Sequence, residues 1–216
     1  MSKKTSGKVL DVGCGSGALL DTYRDNGWET YGIEISKEAC TNANQKGHNV
    51  SKYSIEQYET DKKFSLIILQ SVFEHLHNPD LALDKIRHLL DDDGRVIITV
   101  PNMNSIHYKL FNQYYWGIDS PRHLYLYNVE NIRRLAEKKG FNIEYTTTIS
   151  SPSGVIISMY NWIFESFGKR FFLAKYKAGL LDLILVMLLY FPSKLIDLFK
   201  SGDYLKIVMS KSKDSA

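Results

Sequence analysis

Residues 8–20 read "KVLDVGCGSGALL". Val9, Leu10 and Val12 make a strand-like apolar run, glycines stand at 13, 15 and 17, and a helix-like stretch follows. Glycine reaches left-handed backbone angles without a Cβ penalty, so such a loop lets main chain come close to a bound molecule. It also aims the first N–H groups of the following helix at that molecule. A strand delivered into a helix through three glycines sets the expectation of an α/β sheet with a ligand at the end of its first strand.

Outward from this stretch, strand and helix signals alternate. Lys8–Val12 is the first strand, and a helix over Gly17–Asn26 stops at Gly27. Trp28–Ile33 is a second strand with Glu34 just beyond it. Ser36 fits the N-cap of a helix over Lys37–Lys46, which Gly47 ends. Asn49–Tyr53 is a weak third strand and Phe64–Gln70, "FSLIILQ", a wholly apolar fourth. A helix over Pro79–Leu90 carries Leu81, Leu83, Ile86, Leu89 and Leu90 as its apolar stripe. The "DDDG" that follows predicts a turn before a fifth strand at Arg95–Val100. Strands separated by helices of this length pair in parallel through right-handed crossovers, and continuous apolar strands suit a sheet covered on both faces. The expected architecture is a doubly wound, mostly parallel α/β sheet. Ligands in such sheets lie outside the carboxyl ends of the strands, here Asp11, Glu34, Ser54, Gln70 and Pro101.

The second half changes character. Residues 102–127, rich in Asn, Tyr and His, read as a loop or lid. Asn128–Gly140 predicts a helix, Phe141–Thr148 a strand and Tyr204–Ser210 a last short strand, for seven strands in all. Residues 152–200, between the last two strands, are aromatic and aliphatic with helical periodicity. A chain of 216 residues suits one domain, 1–216, with this helical insertion.

Composition narrows the class. At 44% apolar and 24% charged the chain is neither disordered nor collagen-like. A net charge of +3 without a long Lys/Arg run gives no argument for nucleic acid. Two cysteines, Cys14 and Cys40, are too few for a disulfide framework or a zinc site, which fits a reducing, cytoplasmic compartment and no metal. The opening "MSKKTSGKVL" has no apolar h-region. The Leu-rich "AGLLDLILVMLLYFP" at 178–192 is interrupted by Asp182, ended by Pro192 and short of the ~20 apolar residues of a span.

Two ligands compete for the glycine loop. Gly13, Gly15 and Ala18 satisfy the dinucleotide pattern, and Glu34 lies 21 residues past Gly13 (34 − 13), near the ~20 expected of a ribose-binding acid. Asp11 argues the other way. A carboxylate two residues before the first glycine would repel the doubly negative pyrophosphate of NAD, at a cost of several kcal/mol in a partly dry pocket. S-adenosylmethionine (SAM) carries no phosphate and two positive groups, an ammonium and a sulfonium, which a carboxylate attracts.

"VLDVGCGSG", "GIEIS", "FSLIILQSVFEHLHNPDLAL" and "LLDDDGRVIITVPN" together resemble the class I SAM-dependent methyltransferases in order and spacing, over residues 8–148. "YYWGIDSPRHLYLYN" is similar to a bacterial subgroup associated with surface-polysaccharide and secondary-metabolite pathways. The resemblance implies SAM as cofactor and S-adenosylhomocysteine as product. It places Asp11, Gly13, Gly15 and Gly17 against the methionine half and Glu34 on the ribose hydroxyls. Ile35, Ser54 and Ile55 would face the adenine, and Gln70 the methionine half. The family often has an acid where Ser54 stands. Glu74 and His75 match its Glu-His pair, either at the pocket mouth or bracing the next helix.

His123, in a Trp-Gly-x-Asp-x-Pro-Arg-His pattern, is the candidate base for an oxygen nucleophile, with a helix-capping role as the alternative. Tyr108, Tyr114, Tyr115, Trp116 and Arg122 are candidate acceptor contacts, with plain packing the alternative for the aromatics. The segment 152–200 carries Lys169, Arg170, Lys175 and Lys177 beside its aromatics. Three roles are open to it: a helical cap, a homodimer face, or a peripheral element at the inner face of the membrane. The expected activity is methylation of an oxygen on a sugar, glycan or other small hydroxylated acceptor. A quinone, phenol or amine acceptor, or an inactive SAM-binding partner subunit, are the rivals.

Overall fold

A computed structural model describes residues 6–167 and 180–212. Its centre is β1 (Lys8–Val12), hydrogen-bonded in parallel to β2 (Glu29–Ile33) on one side and β4 (Phe64–Gln70) on the other. β3 (Asn49–Ser51) extends the sheet beyond β2, and β5 (Leu90–Pro101) extends it beyond β4, both in parallel. The last two strands are β6 (Phe141–Ile149) and β7 (Tyr204–Lys211). The order is β3-β2-β1-β4-β5-β7-β6. β7 runs against both neighbours. The Asn102 N–H, just past β5, donates to the Asp203 carbonyl, just before β7, and the Ser212 N–H, just past β7, donates to the Gly140 carbonyl, just before β6. The sheet is therefore seven-stranded and mostly parallel, as expected.

The helices follow from caps and stripes. α1 (Ala18–Asp25) ends with Gly27 in the left-handed region. α2 (Lys37–Gln45) starts at Ser36, whose Oγ accepts the Ala39 N–H. α3 (Pro79–Leu89) starts at Asn78, which accepts the Leu81 N–H, with proline at its first position. α5 (Val129–Lys138) starts on a reciprocal pair: Asn128 and Asn131 each donate a backbone N–H to the other's side-chain oxygen. Lys138 and Lys139 of α5 and its end reach Asp80 and Asp84 of α3. The core between β1, β4, α1 and α2 gathers Val9, Leu20, Ala43, Val50, Leu66 and Ile68. Each larger aliphatic side chain so buried contributes about 1.5–3 kcal/mol.

Three expectations need correction. The acidic run 91–93 is not a turn but the bulged start of β5: Leu90 pairs with Phe64 and Arg95 with Leu66. Four residues, 91–94, thus face the single Ser65, whose hydroxyl donates a hydrogen bond to Asp91. Leu81 is exposed, and the buried stripe of α3 is Pro79, Ala82, Leu83, Ile86 and Leu89. The stretch 102–127 is not simply loop. Ser105 caps α4 (Ile106–Phe111), and single turns of 3-10 helix follow at Asn112–Tyr114 and Trp116–Ile118. The insertion forms α6 (Pro152–Phe167) and α7 (Leu180–Leu198), which pack on each other. Lys169, Arg170, Lys175 and Lys177 lie outside the described residues.

The chain divides into two compact units. Among the described residues, one comprises 6–99, 132–145 and 207–212; the other comprises 100–131, 146–167 and 180–206.

Candidate functional site

In the first unit the carboxyl ends of β1, β2 and β4 converge on the glycine loop. Asp11 lies within β1, its backbone registered against Gly32 of β2 and Ile68 of β4. It is only 4% exposed. Burial, and next the charge of Glu34, push its pKa up from 3.8 to about 7. Near neutral pH the group is poised between carboxyl and carboxylate, and a cation beside it would draw the proton off.

The loop after Asp11 is stitched to β2 by the Gly13 and Cys14 N–H groups, both donating to the Ile33 carbonyl at 2.8 and 3.2 Å. Gly13, Gly15 and Gly17 all take positive φ, at 72°, 53° and 80°. They differ in their surroundings. A Cβ on Gly13 would stand 2.5 Å from Val72 Cγ2, and one on Gly17 2.9 Å from the His48 ring. A Cβ on Gly15 would meet nothing within 4 Å. The open face at Gly15 is where another molecule can approach the main chain. Gly17 caps α1 without a side-chain hydrogen bond.

Glu34, half-buried past the end of β2, ties this loop to the next. Its Oε2 accepts the Gly15 N–H at 2.9 Å and its Oε1 accepts the Ser36 N–H at 2.8 Å. Each carboxylate oxygen keeps a further lone pair for a hydroxyl. Ile35 beside it is 71% exposed. Beyond β3, Ser54 is half-buried, whereas Ile55 sits in the core and offers a ligand almost no surface. Gln70 is exposed at the end of β4. Ser71 then takes the left-handed φ of 54° and donates its N–H to the Thr99 carbonyl.

The turn Phe73–His75 buries Glu74 at 1% exposure, and its Oε2 has no hydrogen-bond partner among the described residues. Burial drives its pKa up from 4.5 to about 7, against the opposing pull of its own backbone N–H and of His75. His75 is half-buried. The Cys14 thiol, pushed up to about 12 by burial and then by Asp11 and Glu34, stays protonated and is no nucleophile.

In the second unit, Tyr108 is half-buried and stands edge-on to Tyr115, with centroids 5.8 Å apart. Tyr115 is packed inside at 1% exposure, its hydroxyl donating to the Asp203 carbonyl at 2.7 Å, so it braces the unit rather than lining an acceptor pocket. Tyr114 is half-buried. Trp116 donates its backbone N–H to Ser158 Oγ and packs its ring on Tyr204, with its indole Nε1 buried and without a partner among the described residues. Arg122 is exposed and paired with Asp119. His123 is half-buried, with Nδ1 2.7 Å from the Gly117 carbonyl. A carbonyl only accepts, so Nδ1 carries a hydrogen, and in the neutral ring this leaves the lone pair on Nε2, the tautomer a general base requires.

The sequence did not point to His107 and Asp203, which are both buried and joined Nδ1 to Oδ1 at 2.7 Å. Ninety-six residues separate them, and no local pattern marks either.

Two acids, Asp11 and Glu34, with no ion-pair partner for either among the described residues, characterise the first-unit site. The arrangement suits a ligand carrying hydroxyls and positive charge, and disfavours a pyrophosphate. A family model described as a methyltransferase domain matches residues 1–146. Over 126 residues the chain is 29% identical to a ubiquinone biosynthesis O-methyltransferase of Glaesserella parasuis, covering 51% of this chain and 53% of that protein. It is 27% identical over 156 residues to an uncharacterized methyltransferase of Staphylococcus carnosus, covering 67% and 74%. A crystal structure of a SAM-dependent methyltransferase from Archaeoglobus fulgidus superposes with a TM-score of 0.63 at 21% identity, covering 96% of this chain and 87% of that one. The match thus spans about half the length of the ubiquinone-pathway relative.

Proposed function

The chain belongs to the methyltransferase domain family, and from that membership we propose that it transfers a methyl group from SAM to an oxygen of a small hydroxylated acceptor, such as a sugar. The observation that carries the cofactor reading is the pair formed by the open Gly15 backbone and the Glu34 carboxylate bonded to it, with Asp11 buried one strand away. The cofactor supplies an electrophilic methyl on a positively charged sulfur. Asp11, as a carboxylate, would hold that cationic half. Glu34 would accept from the ribose hydroxyls, Ile35 and Ser54 would stand around the adenine with Ile55 behind them in the core, and Gln70 would face the methionine half. Gly13 and Gly17 hold the turn that leaves Gly15 bare.

Methyl transfer is an in-line displacement, so alignment supplies much of the rate. His123, neutral with its lone pair on Nε2, would take the acceptor's hydroxyl proton as the methyl passes from the cofactor's sulfur to that oxygen, the S–CH3 bond breaking to leave neutral S-adenosylhomocysteine. Tyr108, Trp116 and Arg122 are the proposed acceptor contacts, while Glu74, 1% exposed, and His75 keep the bracing role beside the next helix. A phenolic or quinone-type acceptor is the second reading, favoured by likeness to relatives named for ubiquinone biosynthesis.

Calorimetry tests the cofactor. SAM binds, NADH gives no measurable heat, and Asp11→Ala weakens SAM by more than about tenfold, the worth of one lost charge contact. Tight NADH binding, or unchanged SAM affinity in the variant, would overturn the reading. Methyl-labelled SAM offered with sugars, phenols and amines then identifies the acceptor class.

A further inference from the structure

α7 presents two different faces. At 100° per residue, Val186, Leu189, Ser193, Ile196 and Asp197 share one side. Ser193 on that side is buried, and Asp197 accepts a hydrogen bond from Ser150 Oγ, so this side packs within its own unit. On the opposite side Ile184, Met187, Leu188, Phe191, Leu195 and Leu198 fall within a 100° stripe. These six are 44–76% exposed. Single exposed apolar residues need no explanation, but a continuous stripe along a helix marks a surface built to be covered.

We propose that this stripe docks on an anionic lipid surface. The charge carried by this stretch of sequence selects that occupant. Lys194 borders the stripe, its ammonium 5.5 Å from the centre of the Tyr190 ring, with Lys200 just beyond the helix. From 168 to 200 the sequence carries six basic residues (169, 170, 175, 177, 194 and 200) against two acidic ones (182 and 197). Two copies meeting face to face would bring like charges together, whereas acidic headgroups attract them. Lysine stems running along apolar surface with the charge held at the rim suit a helix lying in the headgroup layer. No helix among the described residues is long and apolar enough to cross a membrane, so the helix lies on the bilayer. The proposal does not depend on the identity of the methyl acceptor.

The test is co-sedimentation of the full chain with phosphatidylcholine vesicles prepared with or without phosphatidylglycerol, alongside light scattering of the protein alone. The wild type sediments with the anionic vesicles, less so as salt is raised, and stays in solution with the neutral ones. Leu188→Ser/Phe191→Ser lowers vesicle affinity by more than about tenfold while the melting temperature and SAM affinity stay at wild-type values. Equal sedimentation of the double variant overturns the proposal. So does a dimer that the double variant abolishes without any binding to vesicles, which would assign the stripe to a second copy.

Discussion

Asp11 and Glu74 are buried carboxyls that both titrate near neutrality, each chiefly because it is buried. For Asp11 the linkage has a definite sign. A cationic cofactor prefers the carboxylate, so below pH 7 binding must also expel a proton. The dissociation constant for SAM is expected to fall by up to about tenfold per pH unit as pH rises toward 7 and to level off above it. Asp11→Asn should flatten that profile, which calorimetry at several pH values measures. The same shift costs stability. A carboxyl whose folded pKa exceeds its unfolded one stabilises the fold fully below about 3.8, and that contribution is lost as pH rises through 7. Without cofactor, the Asp11→Asn protein should therefore melt higher than wild type at pH 8, and the two curves should converge toward pH 4. Scanning calorimetry that found no gap at pH 8 would remove the burial argument.

At the scale of elements, the glycine loop separates packing from access. Gly13→Ala should cost more than the ~1 kcal/mol of left-handed strain, because its Cβ meets Val72. Adding Val72→Ala should restore only the packing part, as urea denaturation would show. Gly15→Ala carries strain but no clash, so its loss of SAM affinity should exceed its loss of stability.

These elements were legible to different degrees. β1, β4 and the Ser36 cap were plain from apolar runs and capping chemistry, because each is decided within a few residues. β5 was not. Three aspartates and a glycine read as a turn, but β4 offers Leu90 a partner in Phe64, and tertiary pairing overrides a local turn preference. α4, only six residues long, fell below the length at which periodicity shows. Within the site, Asp11, the glycines and Glu34 were readable from spacing. The burial of Glu74 and of Tyr115 was not, because burial depends on what the rest of the chain places around a residue. His123→Ala tests the least legible assignment: a lower methylation rate with SAM affinity near wild type is expected, and an unchanged rate would leave His123 a purely structural residue.

At the scale of the whole molecule, Asp203 does the work of a rivet. Its side chain accepts from His107 Nδ1 and the Ser151 N–H, and its carbonyl from the Asn102 N–H and the Tyr115 hydroxyl. Asp203→Ala strands two donors, the buried His107 and the half-buried Ser151 N–H, and should cost about 2–5 kcal/mol, while Asp203→Asn, which keeps one acceptor oxygen, should cost less. Chemical denaturation distinguishes them. The strand that begins one residue later has a consequence in time. β7 enters between β5 and β6, although both are made long before it. A chain emerging from the ribosome must carry two open strand edges through the synthesis of more than fifty residues (149 to 204), including the apolar insertion, before the last strand closes the gap between them. Exposed edges are templates for wrong partners. For this protein the period most open to misassembly is set by strand order and falls late in synthesis.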